Sequence, residues 1–360
     1  MPAGKLPRSF TVSSRRAHLP VLAALLLCLI SGCQTTPWQG FPTATQANLV
    51  WPPPPETPRV AYVMQIRRHQ DLFSEAVGWH FIQHLLAGPQ DSQMSRPFAL
   101  ALHPEGGLLV SDPGRNCVHY YCWSRQRYVA IGAQLAGGLP SPVGVAALPD
   151  GRILVGDSKL GHLESFAADG KSLGPFGALD LFKRPAGMAV DPATQRVYIA
   201  DVSRHEIVVL DFAGKLILRF GARGAGNGQF NFPTHLALTP EGNLAISDAL
   251  NFRVQIISPD GKFIGKFGES GDSPGHFSKM KGIACDRAGH IISVESLYGF
   301  LQFFDAQGQF LLNLGGSGSA PGQFWLPSGL CYDPQQQLLF VADSYNSRVQ
   351  VFRMMQDSTP

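Results

Sequence analysis

One phrase recurs six times along this chain. It begins as Arg96-Pro97-Phe98-Ala99-Leu100-Ala101 and returns as Ser141-Pro142-Val143-Gly144-Val145-Ala146, Arg184-Pro185-Ala186-Gly187-Met188-Ala189 and Phe232-Pro233-Thr234-His235-Leu236-Ala237. Met280-Lys281-Gly282-Ile283-Ala284 and Leu326-Pro327-Ser328-Gly329-Leu330-Cys331 complete the set. Successive starts at 96, 141, 184, 232, 279 and 326 lie 43 to 48 residues apart. Each unit holds short apolar runs closed by turn residues. In the fourth, Leu236-Ala237-Leu238 stops at Pro240-Glu241-Gly242 and Leu244-Ala245-Ile246 at Ser247-Asp248, while 253–257 stops at Pro259-Asp260-Gly261 and 262–267 at Gly268. Runs of this length between turn signals read as antiparallel strands. One such sheet cannot bury both of its faces, so it needs copies beside it. Four strands per unit at this period mean an all-β fold, a six-bladed β-propeller.

Two further columns keep the same register. Second strands end at Asp112, Asp157, Asp201, Asp248, Glu295 and Asp343, and fourth strands at Gly132, Gly177, Gly221, Gly268 and Gly315. The sixth unit runs out after its third strand, Arg348-Val349-Gln350-Val351-Phe352. A ring must close, and closure removes exposed sheet edges. The only unassigned β-like run, 59–66, is therefore expected to pair with the last blade. The organisation read this way is a closing strand and a short helix over 59–95, then the propeller over 96–355.

The succession P-x-G-hydrophobic-A, V-A-D, N-x-R-V-Q-V-F and G-K-F resembles the NHL-repeat family of six-bladed β-propellers over about residues 96 to 354. Asn251-Phe252-Arg253-Val254-Gln255-Ile256 and Asn346-Ser347-Arg348-Val349-Gln350-Val351-Phe352 carry it best. Blades two, three and five depart from the third-strand motif at Leu160-Gly161-His162, Arg204-His205-Glu206 and Tyr298-Gly299-Phe300. The resemblance implies a binding or scaffolding module for an unidentified protein partner. The alternative it leaves open is a zinc- or calcium-dependent hydrolase or lyase with its site in the propeller channel.

Residues 1–32 read as a secretory signal. Lys5, Arg8, Arg15 and Arg16 precede an apolar run at 21–30 that is too short to span a bilayer. The run ends Leu29-Ile30-Ser31-Gly32-Cys33, which resembles the lipobox of bacterial lipoproteins. That resemblance implies lipidation of Cys33, anchorage to a membrane and a place in the cell envelope. With Gln34 following, it implies the outer membrane, facing the periplasm, in a two-membrane bacterium. Removing the four basic residues takes the net charge from +3 to about −1, so the mature chain is not expected to bind nucleic acid. Residues 33–58, with Trp51-Pro52-Pro53-Pro54-Pro55, read as a linker containing extended polyproline.

A helix is expected over 71–86, capped by Asp71. His80 and His84 fall on one of its faces and read as a solvated polar pair, because Phe81 stands where a metalloprotease motif needs an acid. Cys117, Cys122, Cys285 and Cys331 lack metal spacing and read as small buried residues. Three connections, 221–230, 268–277 and 315–324, read G-x-x-G-x-x-x-G-x-F. Neither the Lys-Ser/Thr nor the helix of a phosphate loop follows them, so they read as blade-to-blade turns. The acidic column reads as carboxylates holding adjacent turns. No catalytic, cofactor or metal residue is expected. One candidate remains in the first-strand column Ala99, Gly144, Gly187, His235, Gly282 and Gly329: His235, as a channel contact. Peptidyl-amidating lyases, a related class, hold zinc with several channel histidines, and zinc needs three or four ligands.

Overall fold

The computed structural model describes Trp38 and residues 40–42, 49–73 and 91–355. Cys33, the apolar run before it, residues 74–86 of the expected helix, and His80 and His84 lie outside the described residues. At the start of that helix the chain makes a short 3-10 turn, His69–Asp71, and Asp71 accepts the backbone N–H groups of Arg67 and Arg68.

The strands follow the repeat. Blade one is β3 (Leu100–His103), β4 (Gly107–Asp112), β5 (Cys117–Cys122) and β6 (Arg127–Ile131). Blade two is β7 (Pro142–Ala147), β8 (Ile153–Asp157), β9 (His162–Phe166) and β10 (Ser172–Pro175). Blade three is β11 (Pro185–Asp191), β12 (Arg196–Asp201), β13 (Glu206–Asp211) and β14 (Leu216–Phe220). Blade four is β15 (Pro233–Leu238), β16 (Leu244–Asp248), β17 (Arg253–Ile257) and β18 (Phe263–Phe267). Blade five is β19 (Met280–Cys285), β20 (Ile291–Glu295), β21 (Phe300–Phe304) and β22 (Phe310–Gly315). Blade six has β23 (Leu330–Asp333), β24 (Leu338–Asp343) and β25 (Arg348–Met354) from the repeat. Its fourth strand is β2 (Val60–Ile66), antiparallel to β25 with Val60 opposite Met354 and Ile66 opposite Val349. The expected closure is therefore present.

The closing blade holds a fifth strand, β1 (Val50–Trp51), paired to the outer edge of β2. This corrects the reading of 33–58 as linker throughout. Tyr62 donates its N–H to Leu49 O at 2.9 Å and Arg59 to Trp51 O at 2.7 Å, so β1 satisfies an edge that would otherwise face water. The Trp51 ring meets Phe352 edge-on at 5.8 Å, and Phe41 is buried against Trp123 and Phe340. Pro54 and Pro55 sit in a turn rather than in extended polyproline. Three or four large apolar side chains within reach of an open blade outweigh the stiffness of the prolines.

The core is a set of wedges between neighbouring blades. Phe230, for instance, packs with Tyr198 and Val209 of blade three and Leu244 and Ile246 of blade four. Phe277 and Phe324 fill the equivalent places between blades four and five and between blades five and six. All three phenylalanines are fully buried.

Polar ties fix the same junctions. Each carboxylate of the acidic column is buried and accepts N–H groups from the chain entering its own blade: Ser95 and Arg96 on Asp112, Ser141 on Asp157, Lys183 and Arg184 on Asp201, Asn231 on Asp248, Ser278 and Lys279 on Glu295, and Trp325 on Asp343. In blade four Arg253 adds Nε to Asp248 Oδ2 at 2.8 Å and its remaining donors to the carbonyls of Ala225, Gly226 and Gln229. Two of the three glycine-rich connections are thus read by the next blade's arginine: Arg348 bonds the carbonyls of Ala320 and Gln323 as Arg253 bonds its own loop, while connection 268–277 is held by Gln302 of blade five. All three serve as blade junctions.

Candidate functional site

The first strands form the inner ring, each beside the next, with β23 returning to β3. They come so close that four column positions must be glycine. A Cβ on Gly144 would stand 2.0 Å from Ala186 O; one on Gly282 would stand 2.3 Å from Ser328 O, and one on Gly329 2.3 Å from Phe98 O. Gly187 abuts Thr234 and His235 in the same way. The small residues of this column therefore serve backbone approach, a reason that the repeat alone does not reveal.

Inside the ring, a cavity of about 580 Å³ is lined by the same position of every blade: Leu100, Val145, Met188, Leu236, Ile283 and Leu330. The next position supplies five alanines and Cys331. The lining extends to the turns between first and second strands, including Pro104, Pro149, Pro192 and Pro334. Cys285 and Cys331 face this space and are only partly covered, which corrects their reading as buried apolar residues. Burial pushes both thiols up to about 12, with Asp286 and Asp333 adding to the effect.

Towards the opposite rim, at the level of His235, side chains of blades one and four meet across the channel. His235 is buried, and neither Nδ1 nor Nε2 has a hydrogen-bond partner; nor has Oγ1 of the adjacent Thr234. Its ring stacks on Phe98 of blade one, with centroids 5.9 Å apart and planes at 30°. Blades one and four are opposite each other in a six-membered ring, so this contact spans the channel. Lys281 of blade five brings Nζ to 5.5 Å from the same phenyl centroid. The sequence singled out His235 but not Lys281 and Phe98. The signal was available: at the position before the glycine column, Phe98, Val143, Ala186, Thr234, Lys281 and Ser328 include one charge.

Burial lowers the His235 pKa to about 3, helped by the positive charge of Lys281. Burial lowers Lys281 to about 8, helped by Lys279. At neutral pH the site is a neutral imidazole beside an ammonium, with no carboxylate bearing on that ammonium among the described residues. The other buried histidines differ. His103 bonds Gly151 O at 2.9 Å and the Tyr120 hydroxyl at 3.0 Å, and His119 bonds Tyr128 and Asp112. Burial acts to raise the Asp112 pKa, but the His119 bond and the Ser95 and Arg96 N–H groups outweigh it and hold the carboxyl below its usual range. No group of three His, Cys, Asp or Glu side chains converges to hold a metal among the described residues.

The rim at the turns between second and third strands has its own character. Blades four, five and six expose Leu250, Leu297, Tyr298 and Tyr345 there, with Trp325 at the entry to blade six. Trp325 and Tyr345 are 57% and 52% exposed yet lie 5.9 Å apart between ring centroids. Blades one and three present Arg115 and Arg204 at the equivalent turns.

Residues 182–210 and 324–352 match the NHL repeat. The chain carries NHL repeats. The two matches span the first three strands of blades three and six. Against curated proteins, 90 residues are 34% identical to peptidyl-glycine alpha-amidating monooxygenase of Mus musculus, covering 23% of the chain and 9% of that protein. Among solved structures the propeller is similar to virginiamycin B lyase from Staphylococcus aureus, at TM-score 0.55 and 11% identity over 72% of this chain and 96% of that one. It is similar to a gluconolactonase of Xanthomonas campestris at TM-score 0.55 and 16% identity, over 75% and 93%. A chain of the nidogen/laminin complex gives TM-score 0.50 and 17% identity, over 60% and 79%. At these identities the structural likeness shows the fold.

Proposed function

We propose that this NHL propeller is a protein-docking module held at a membrane outside the cytoplasm by a lipid on Cys33. The observation that carries the docking reading is the apolar rim of blades four to six. Trp325, Tyr345, Tyr298, Leu297 and Leu250 are exposed on short, hydrogen-bonded turns. Aromatic side chains on a rigid support bind with little ordering cost. The rim's backbone is pinned as well: Trp325 donates its N–H to Asp343, and Tyr345 donates to Trp325 O. A likeness to a chain of the nidogen/laminin complex is consistent with this use of the fold.

The lipid anchor rests on the sequence around Cys33. Among the described residues no helix is long and apolar enough to cross a membrane. The test is an in-cell photo-crosslinking experiment on the full chain, with the probe at Tyr345. A discrete protein adduct that disappears with Trp325→Ser supports the reading. A probe that labels nothing, or an adduct indifferent to Trp325→Ser, refutes docking at this rim. Separately, Cys33→Ala should abolish incorporation of radiolabelled palmitate and release the protein from membranes.

A further inference from the structure

We propose that the channel waist formed by Phe98, Thr234, His235 and Lys281 is a binding site for a small carboxylate. It is distinct from the docking rim and does not depend on it.

The argument begins with what these side chains lack. A buried polar group without a hydrogen bond costs about 1–3 kcal/mol, and a buried charge without a partner costs more. His235 leaves two ring nitrogens unsatisfied and Thr234 one hydroxyl. Lys281 points its ammonium at the face of Phe98, with no carboxylate against it among the described residues. Elsewhere the six buried acids, Arg253 and Arg348 all find partners. Tyr198, Ser293, Ser296, Asn313 and Arg353 each leave one buried polar atom without one, but among the described residues His235 alone leaves two. Unsatisfied donors, a lone cation and an aromatic face at one point of a closed ring are what an anionic ligand would complete.

The inventory defines the ligand class. One ammonium balances one negative charge, which suits a carboxylate better than a phosphate dianion. The neutral imidazole offers one donor and one acceptor, so a hydroxyl or N–H close to the carboxylate would satisfy its second nitrogen. The apolar lining just below, Leu100, Leu236 and Ile283, leaves room for a short hydrocarbon tail. Binding needs no covalent step. The ligand would restore the ammonium's stability, so it would raise the Lys281 pKa.

The experiment is an NMR titration of the full chain labelled with nitrogen-15 in its histidine rings, using L-lactate as probe and inorganic phosphate as comparison. The His235 resonances are assigned by their loss in His235→Gln. The expected result is a saturable shift of His235 with lactate and none at His103, whose nitrogens are occupied. Lys281→Met should weaken that binding at least about tenfold, the loss of one charge-assisted hydrogen bond. Melting temperature checks that Lys281→Met is folded. Charge-neutral Thr234→Val, which cannot remove the ammonium, gives a second handle with a smaller loss. A shift of His235 that persists in Lys281→Met overturns the proposal, as does saturation by phosphate but not lactate. Absence of any saturable shift with either probe also overturns it.

Discussion

Arg348 donates from Nη1 to Gln65 Oε1 at 2.8 Å, across 283 residues of chain. In blade four the same nitrogen of Arg253 goes instead to Ala225 O in the connection before it. The closing strand has therefore inserted a side-chain amide where the junction before blade four uses a backbone carbonyl. Arg348 is buried, and its Nε holds Asp343 Oδ2 at 2.7 Å. Arg348→Ala leaves a buried carboxylate unpaired and should cost about 3–5 kcal/mol. Gln65→Ala should cost about 1–3 kcal/mol, as the loss of a hydrogen bond to a charged group. Because the two share one bond, a double-mutant cycle in urea should return a clear coupling energy. Strict additivity would mean that this bond does not lock the ring.

The glycines of the inner ring give a second prediction with an internal control. Gly144 and Gly265 both lie in strands with ordinary negative φ. Alanine at Gly144 would place its Cβ 2.0 Å from the carbonyl oxygen of Ala186, whereas at Gly265 nothing lies within 4 Å. Gly→Ala stabilises by about 0.4–1 kcal/mol through the unfolded chain where the native site accepts it. At Gly144 the clash must spread two first strands, which should outweigh that gain by about 1–3 kcal/mol or more. Chemical denaturation of the two variants should move in opposite directions, or leave Gly265→Ala unchanged. Equal destabilisation would contradict the close approach.

The repeat made the ring legible because each blade repeats its chemistry at fixed spacing. One acid per blade, in the same register, can be read as a turn-holding carboxylate without coordinates. The Asn-x-Arg-Val-Gln motif likewise reads as a tie, although only the structure shows that Gln255 and Gln350 grip the same loop as the arginine. Strand β1 and the docking of Phe41 were not legible, since nothing repeats there and prolines dominate the segment. The waist was half legible. His235 stands out against a column of glycines. Its meeting with Phe98 and Lys281 depends on ring closure, which brings together residues from blades one, four and five. Periodicity along the chain says which residues are equivalent, but not which of them face each other.

Cys285 and Cys331 line an open cavity yet should be slow to alkylate. With both thiols pushed up to about 12, the thiolate fraction at pH 8 falls about a thousandfold below that of an ordinary cysteine. Iodoacetamide treatment of the native protein, read by peptide mass spectrometry, should leave both unmodified on a timescale that fully alkylates them in denaturant. Rapid modification of Cys331 in the native state would mean that its thiolate is far better stabilised than its apolar surroundings allow.

His235 should make the fold acid-sensitive. Its pKa falls from 6.5 unfolded to about 3 folded, so between those values the unfolded chain binds the extra proton. Stability therefore rises with pH through this window. The full contribution of the neutral imidazole is present above about pH 6.5 and is lost as pH falls towards 3. Between pH 7 and pH 4.5 the loss assigned to this one group is on the order of 2–3 kcal/mol. His235→Leu keeps the waist filled and removes the titration. Every other ionisable group is common to both proteins, so its effect cancels in the comparison. Urea unfolding at pH 7 and pH 4.5 should show the wild-type chain losing more stability than His235→Leu by that amount. Parallel losses in the two proteins would mean that His235 is protonated in the fold, with an anionic or acceptor group holding its proton. That outcome would remove the neutral imidazole from the waist altogether.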